Sequence, residues 1–146
     1  MNSSAASQLE PIAVHCRATV VREVAATLQA GFPSPAADHT VKRLDLNDVL
    51  IKHPLATFLL RVRGHSMRDA GIDEGDVVLV DKAIKPVHGH VVVAVVDGEF
   101  TLKRLWRRRG QVKLQAANPD CPDIELVDGQ TLEVWGVVTT VIKSLT

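Results

Sequence analysis

Tyrosine is absent from this 146-residue chain and the remaining aromatics make up 3% of it, so aliphatic side chains rather than stacked rings must build the core. Two cysteines, Cys16 and Cys121, are too few for a disulfide scaffold. Neither charge is in excess: 17 Lys and Arg balance 17 Asp and Glu, which leaves no global positive field to hold nucleic acid without sequence-specific geometry; DNA binding is not assumed, and no direct sequence-specific DNA binding is expected. The longest apolar run, residues 91–96, falls far short of the ~20 residues a helix needs to cross a bilayer. No charged-then-apolar leader opens the sequence. These absences predict a soluble, cytoplasmic protein with no membrane partner. There is also no internal repeat, low-complexity tract or heptad pattern, which excludes solenoids and coiled coils.

What is present points to strands. Apolar residues make up 46% of the chain with valine prominent, and β-branched residues suit a pleated, half-buried surface. Runs at 57–63, 76–81, 90–96, 100–106, 111–116 and 131–143 read as strands separated by glycine-containing turns. Asp97-Gly98 is a two-residue hairpin signal and Arg109-Gly110 marks a second tight turn. Residues 45–53 predict a short helix, because Leu46, Val49 and Leu50 share a face and Pro54 stops it. The fold class is therefore mainly β: a compact, largely antiparallel domain with one short helix.

The N-terminal thirty residues carry no lasting period apart from a β-prone stretch at 20–28. The segment Gly31-Phe32-Pro33-Ser34-Pro35 follows, and its two prolines remove amide donors and favour extended backbone. This divides the chain into a mobile, proteolytically accessible arm at 1–30 and a main domain at 31–146.

Chemistry-bearing residues stand out at two places. Arg63-Gly64-His65-Ser66-Met67 follows a predicted strand and precedes Asp69-Ala70-Gly71-Ile72, so Ser66 sits where a strand turns and backbone amides are exposed beside a hydroxyl. On local features alone an ordinary turn serine is the commoner reading. Lys103 lies on a predicted strand among Phe100, Leu102 and Leu105. Burial there lowers an amine pKa from about 10.4 towards neutrality, as a general base requires; the alternative is that Lys103 and Arg104 are solvated charges protecting a sheet edge.

The order and spacing of Gly31-Phe32-Pro33-Ser34-Pro35-Ala36-Ala37-Asp38, Gly64-His65-Ser66-Met67, Gly71-Ile72 with Gly75-Asp76, and Asp97-Gly98-Glu99-Phe100-Thr101-Leu102-Lys103 resemble the UmuD branch of the LexA-type self-cleaving serine-lysine peptidases, peptidase family S24. The resemblance covers nearly everything after residue 27. It implies Ser66 as nucleophile, Lys103 as general base, Ala30-Gly31 as the cleaved bond, and backbone amides of Ser66 and Met67 as oxyanion donors, with no metal or cofactor. It further implies a homodimer whose self-cleavage is stimulated by a RecA–single-stranded DNA filament. The trimmed form would join a UmuC-like, Y-family error-prone polymerase in translesion synthesis. Small Ala30 and Gly31 suit a crowded cleft, and Leu28 suits an apolar pocket.

Two positions depart from the UmuD-like pattern: His65 stands where an acidic residue is familiar, and His90 where Asp often follows Gly89. The scissile Ala30 resembles LexA more than the cysteine familiar from UmuD. His65 reads as a surface imidazole, and His88-Gly89-His90 as a turn rather than a metal pair. Arg104, Arg107, Arg108 and Arg109 around Trp106 form the strongest basic cluster, read either as a partner-binding patch or as a solvated hairpin tip. Asn118-Pro119-Asp120-Cys121-Pro122 reads as an exposed loop. Three other functions compete: a LexA-like repressor, which needs a helix-turn-helix domain that thirty residues cannot hold; a signal peptidase, which needs a membrane anchor; and a noncatalytic interaction module on the same scaffold.

Overall fold

The computed structural model describes residues 18–24, 28, 30–32, 41–126 and 131–146. They fall into two compact units, one within Val14–Lys52 and the other carrying His53–Thr146.

In the smaller unit, β1 (Val20–Val24) pairs antiparallel with β2 (Val41–Asp45), placing Val21 opposite Leu44 and Glu23 opposite Lys42. Strand β2 was not legible in the sequence: Lys42 and Arg43 interrupt its apolar pattern, and its pairing with β1 rather than its propensity defines it. The helix α1 (Leu46–Leu50) is shorter than the expected 45–53. Asp45 is its N-cap, the carboxylate accepting from the Asn47 amide at 3.0 Å. Ile51 is already extended at φ −126°, ending the helix three residues ahead of Pro54. The residues on either side of the expected Ala30-Gly31 target, Leu28 and Phe32, are 98% and 93% exposed. The prolines at 33 and 35, like all of residues 1–17, lie outside the described residues.

The larger unit is a seven-stranded, wholly antiparallel sheet. Its strands are β3 (Thr57–Arg61), β4 (Val77–Asp81), β5 (Val91–Val96), β6 (Glu99–Arg108), β7 (Gln111–Gln115), β8 (Ile124–Glu125) and β9 (Leu132–Ile142), in the spatial order β3-β4-β9-β5-β6-β7-β8. Six match the expected runs; the two-residue β8 was not foreseen. At both tight hairpins the central residues have positive φ, Asp97 +49° with Gly98 +83° and Arg109 +50° with Gly110 +76°. That left-handed pair gives the twist that two-residue hairpins require.

Both faces of the sheet bury apolar residues. Val62, Met67, Ile72, Val78, Val80, Val93 and Trp135 form one cluster; Val92, Ala94, Leu105, Leu114 and Val137 form another. Alternation explains how neighbouring valines of β5 serve different clusters. Trp135 and Val137 share parity yet also separate, because β9 carries an extra residue where Val93 pairs with Gly136 and Ala94 with Val134. This bulge switches the side-chain phase. Three of the protein's five aromatics then meet: Trp135 lies 5.1 Å from Phe58 and 5.6 Å from Phe100, with the Lys82 ammonium 4.8 Å over its ring.

Candidate active site

Ser66 rides on a loop rooted between β3 and β4. Val62 donates to the Asp76 carbonyl at 2.8 Å and accepts from the Gly75 amide at 2.9 Å, pinning the loop where it leaves the sheet. Gly64 enters the turn at φ +84°, a conformation that a side chain strains. Met67 is 2% exposed and inserts into the first core cluster, so the residue beside the serine anchors the turn. Arg68–Ala70 then forms a 3-10 turn closed by Gly71 at φ +77°. At the base of the loop, Lys143 from the chain's end bridges Asp73 at 2.8 Å and Asp76 at 2.5 Å. These bonds hold the Asp76 carboxyl below, and the Lys143 ammonium above, their usual pKa ranges.

Lys103 reaches the same place from the middle of β6, where it pairs with Val92 of β5. It is 8% exposed. Its Nζ lies 3.0 Å from Ser66 Oγ, 3.0 Å from Thr101 Oγ1 and 3.3 Å from the Leu102 carbonyl. Burial holds its pKa below the ordinary lysine value, with Cys121 acting in the opposite sense. Among the described residues no carboxylate forms an ion pair with it. The reading of Lys103 as a solvated edge charge therefore does not hold: β6 is an interior strand and its lysine is buried.

A cleft of about 170 Å3 opens onto the pair, lined by Val62, Arg63, Gly64, Ser66, Met67, Phe100, Thr101, Leu102 and Lys103. A second cavity of about 280 Å3 shares its Phe100 to Leu102 wall and continues over Leu60, Val78 and Val93. One side of the site is thus polar, the other apolar.

The sequence reading missed two residues here. Thr101 lies two positions before Lys103, on the same face of β6 by strand alternation; that period-2 spacing was the available signal. Asn118 falls in the stretch expected as an exposed loop, yet it is buried, its side-chain amide donating to the His65 carbonyl at 2.8 Å. The loop reading holds for its neighbours Pro119, Asp120 and Pro122, which are exposed.

Other expected residues stay outside the cleft. His65 is exposed and lies 3.9 Å from Glu74. His88 accepts from the Arg107 amide and packs edge-on to Trp106; His90 accepts from the Val87 amide. Among the described residues no three His, Cys, Asp or Glu side chains gather as a metal site. Arg107, Arg108 and Arg109 are exposed at the β6–β7 hairpin, and Arg104 donates to the Gly89 carbonyl at 3.3 Å. No helix among the described residues is long and apolar enough to cross a membrane.

Residues 23–139 match the family described as Peptidase S24-like. The chain belongs to that family. It is 47% identical to the protein ImpA of Escherichia coli over 114 residues, 78% of this chain and 77% of ImpA. It is 43% identical to the E. coli protein MucA over 113 residues, 77% of each. It is 39% identical to the LexA repressor of Cupriavidus taiwanensis over 115 residues, which cover 79% of this chain and 52% of that repressor. The S24-like chain is thus a UmuD-type member of a family of self-cleaving serine peptidases.

Proposed function

We propose that this S24-like chain cuts its own Ala30-Gly31 bond with a Ser66–Lys103 dyad. The observation that carries the reading is the 3.0 Å approach of a buried amine to a serine hydroxyl. Neutral lysine has two N–H donors and one lone pair. Thr101 Oγ1 and the Leu102 carbonyl are positioned to accept the two hydrogens, and the carbonyl can do nothing else. The lone pair is then left for the Ser66 hydroxyl proton.

The reaction proceeds in two halves. Ser66 Oγ attacks the Ala30 carbonyl carbon as its proton passes to Lys103 Nζ. The carbonyl oxygen takes the negative charge, with the amides of Ser66 and Met67 as its donors. Collapse breaks the Ala30-Gly31 C–N bond, Lys103 returns the proton to the Gly31 nitrogen, and an ester joins Ala30 to Ser66. Water, deprotonated by Lys103, hydrolyses the ester and regenerates the hydroxyl. An extended strand puts side chains two residues apart on one side, so a leucine at position 28 suits the apolar cavity adjoining the dyad.

At the molecular level the chain works as a homodimeric, cytoplasmic protein of the DNA-damage response. A RecA–single-stranded DNA filament stimulates the cut, and the product beginning at Gly31 serves a UmuC-like, Y-family polymerase in translesion synthesis. Support for this part is the UmuD-type relationship. The division into an arm at 1–30 and a working domain at 31–146 belongs to the same proposal.

The test is N-terminal sequencing after incubation with RecA, nucleotide and single-stranded DNA, or alone at alkaline pH. A product starting at Gly31 is expected from the unaltered chain, and none from Ser66→Ala or Lys103→Ala. Cleavage that survives both substitutions sinks the dyad.

A further inference from the structure

Two peptide groups on the Ser66 turn are held from behind. The His65 carbonyl accepts from the Asn118 side-chain amide at 2.8 Å and, at the longer distance of 3.2 Å, from the Arg68 amide of its own turn, and the Ser66 carbonyl accepts from the Ala117 amide at 2.7 Å. The tie is returned at the next turn, where the Asp69 amide donates to the Ala117 carbonyl at 2.7 Å. Asn118 is itself fixed: it is 8% exposed, and its Oδ1 accepts from the Asp120 amide at 2.9 Å and from Arg68 Nη2 at 3.4 Å.

Peptide planarity converts these bonds into a direction. In a trans peptide the C=O and N–H point oppositely, and the described residues contain no cis bond. The His65 carbonyl shares its peptide with the Ser66 amide; the Ser66 carbonyl shares its peptide with the Met67 amide. With both carbonyls tied to residues 117 and 118, both amides face away from that segment. Neither amide donates to another described residue, and both residues line the cleft that Lys103 lines.

We propose that Asn118 is a positioning residue that aims the Ser66 and Met67 amides at the oxyanion. It touches no reacting atom. Its duty is to hold the His65–Ser66 peptide plane before reaction, so that no reorientation is needed when charge develops. Ala117 does the same for the following plane through its backbone, which explains why only one side chain is required. The assignment rests on the Ser66–Lys103 reading and adds a third participant 52 positions after Ser66 in the chain.

The experiment is the pH profile of unassisted self-cleavage in the full chain, comparing wild type with Asn118→Leu, which keeps the branched shape and removes the donor without adding charge. The plateau rate is expected to fall roughly ten- to a hundredfold, near the lower end of what losing an oxyanion donor costs. The pH midpoint, set by Lys103, should stay at its wild-type value. A wild-type plateau overturns the assignment alone. A lower plateau with the midpoint moved towards ordinary lysine also overturns it, because Asn118 would then be maintaining the burial of Lys103. If Asn118→Leu lacks cooperative thermal unfolding, the same comparison is read on Asn118→Ala. A wild-type chain that yields no Gly31 product overturns the dyad and this assignment together.

Discussion

Ser66 and Lys103 are ordinary residue types, and the proposed dyad would take its reactivity from their surroundings, which Thr101 tests most sharply. Thr101→Val keeps the side-chain shape and leaves one N–H of a neutral Lys103 without its acceptor. A hydrogen bond is worth about 0.5–1.5 kcal/mol net, so the self-cleavage rate should drop up to roughly tenfold, measured as product per unit time at alkaline pH. The direction of the Lys103 shift gives the pH dependence. Its pKa is depressed by burial, so the neutral base accumulates below the titration range of an exposed lysine, and the rate should climb with pH and level off before that range. A rate still climbing at pH 11 would mean that Lys103 titrates as a free amine. The same depression means that folding with this lysine becomes more favourable as pH rises from its folded pKa to the unfolded value.

Among the elements, β9 connects the core to the site. It lies between β4 and β5, and its bulge sends Trp135 to the cluster that contains Met67 while Val137 serves the other. Gly136 is required there: a Cβ at this position would come within 2.5 Å of Val80 Cγ1. Gly136→Ala should therefore destabilise the larger unit by about 1–3 kcal/mol, the usual cost of overpacking, read as a lower denaturant midpoint with unchanged slope. The bulge could not be read from the sequence, because LEVWGVVTTVI shows valine enrichment but not which residue goes unpaired. Strand β2 escaped for a related reason: its pairing partner, not its own pattern, makes it a strand. Paired turns at Asp97-Gly98 and Arg109-Gly110 were legible because left-handed conformations restrict residue choice locally.

For the whole molecule, equal numbers of acidic and basic residues leave stability to particular ion pairs rather than to net charge. Lys143 joins the chain's end to Asp73 and Asp76 under the Ser66 loop. Asp76 has a folded pKa below 3.8, so its contribution is present above that value and is lost as pH falls through the folded pKa. Lys143 has a folded pKa above 10.5, so its contribution is present below that value and is lost as pH rises through the folded pKa. Asp76→Asn should accordingly lower the thermal midpoint at pH 7, with the difference from wild type shrinking in strong acid. An equal difference at pH 7 and pH 2 would assign the loss to packing instead of charge.

By itself the sequence determined the β class, the hairpins, the candidate Ser66, Lys103 and Ala30-Gly31, and, through the order of its motifs, the family. Those features are local, since turn chemistry, strand alternation and motif spacing act over a few residues. Only the tertiary structure decided that Lys103 is buried, that it meets Ser66 across 37 positions of sequence, and that Thr101 and Asn118 stand around them. Burial and hydrogen-bond partners depend on which strands neighbour one another, and that order is set by packing the whole sheet.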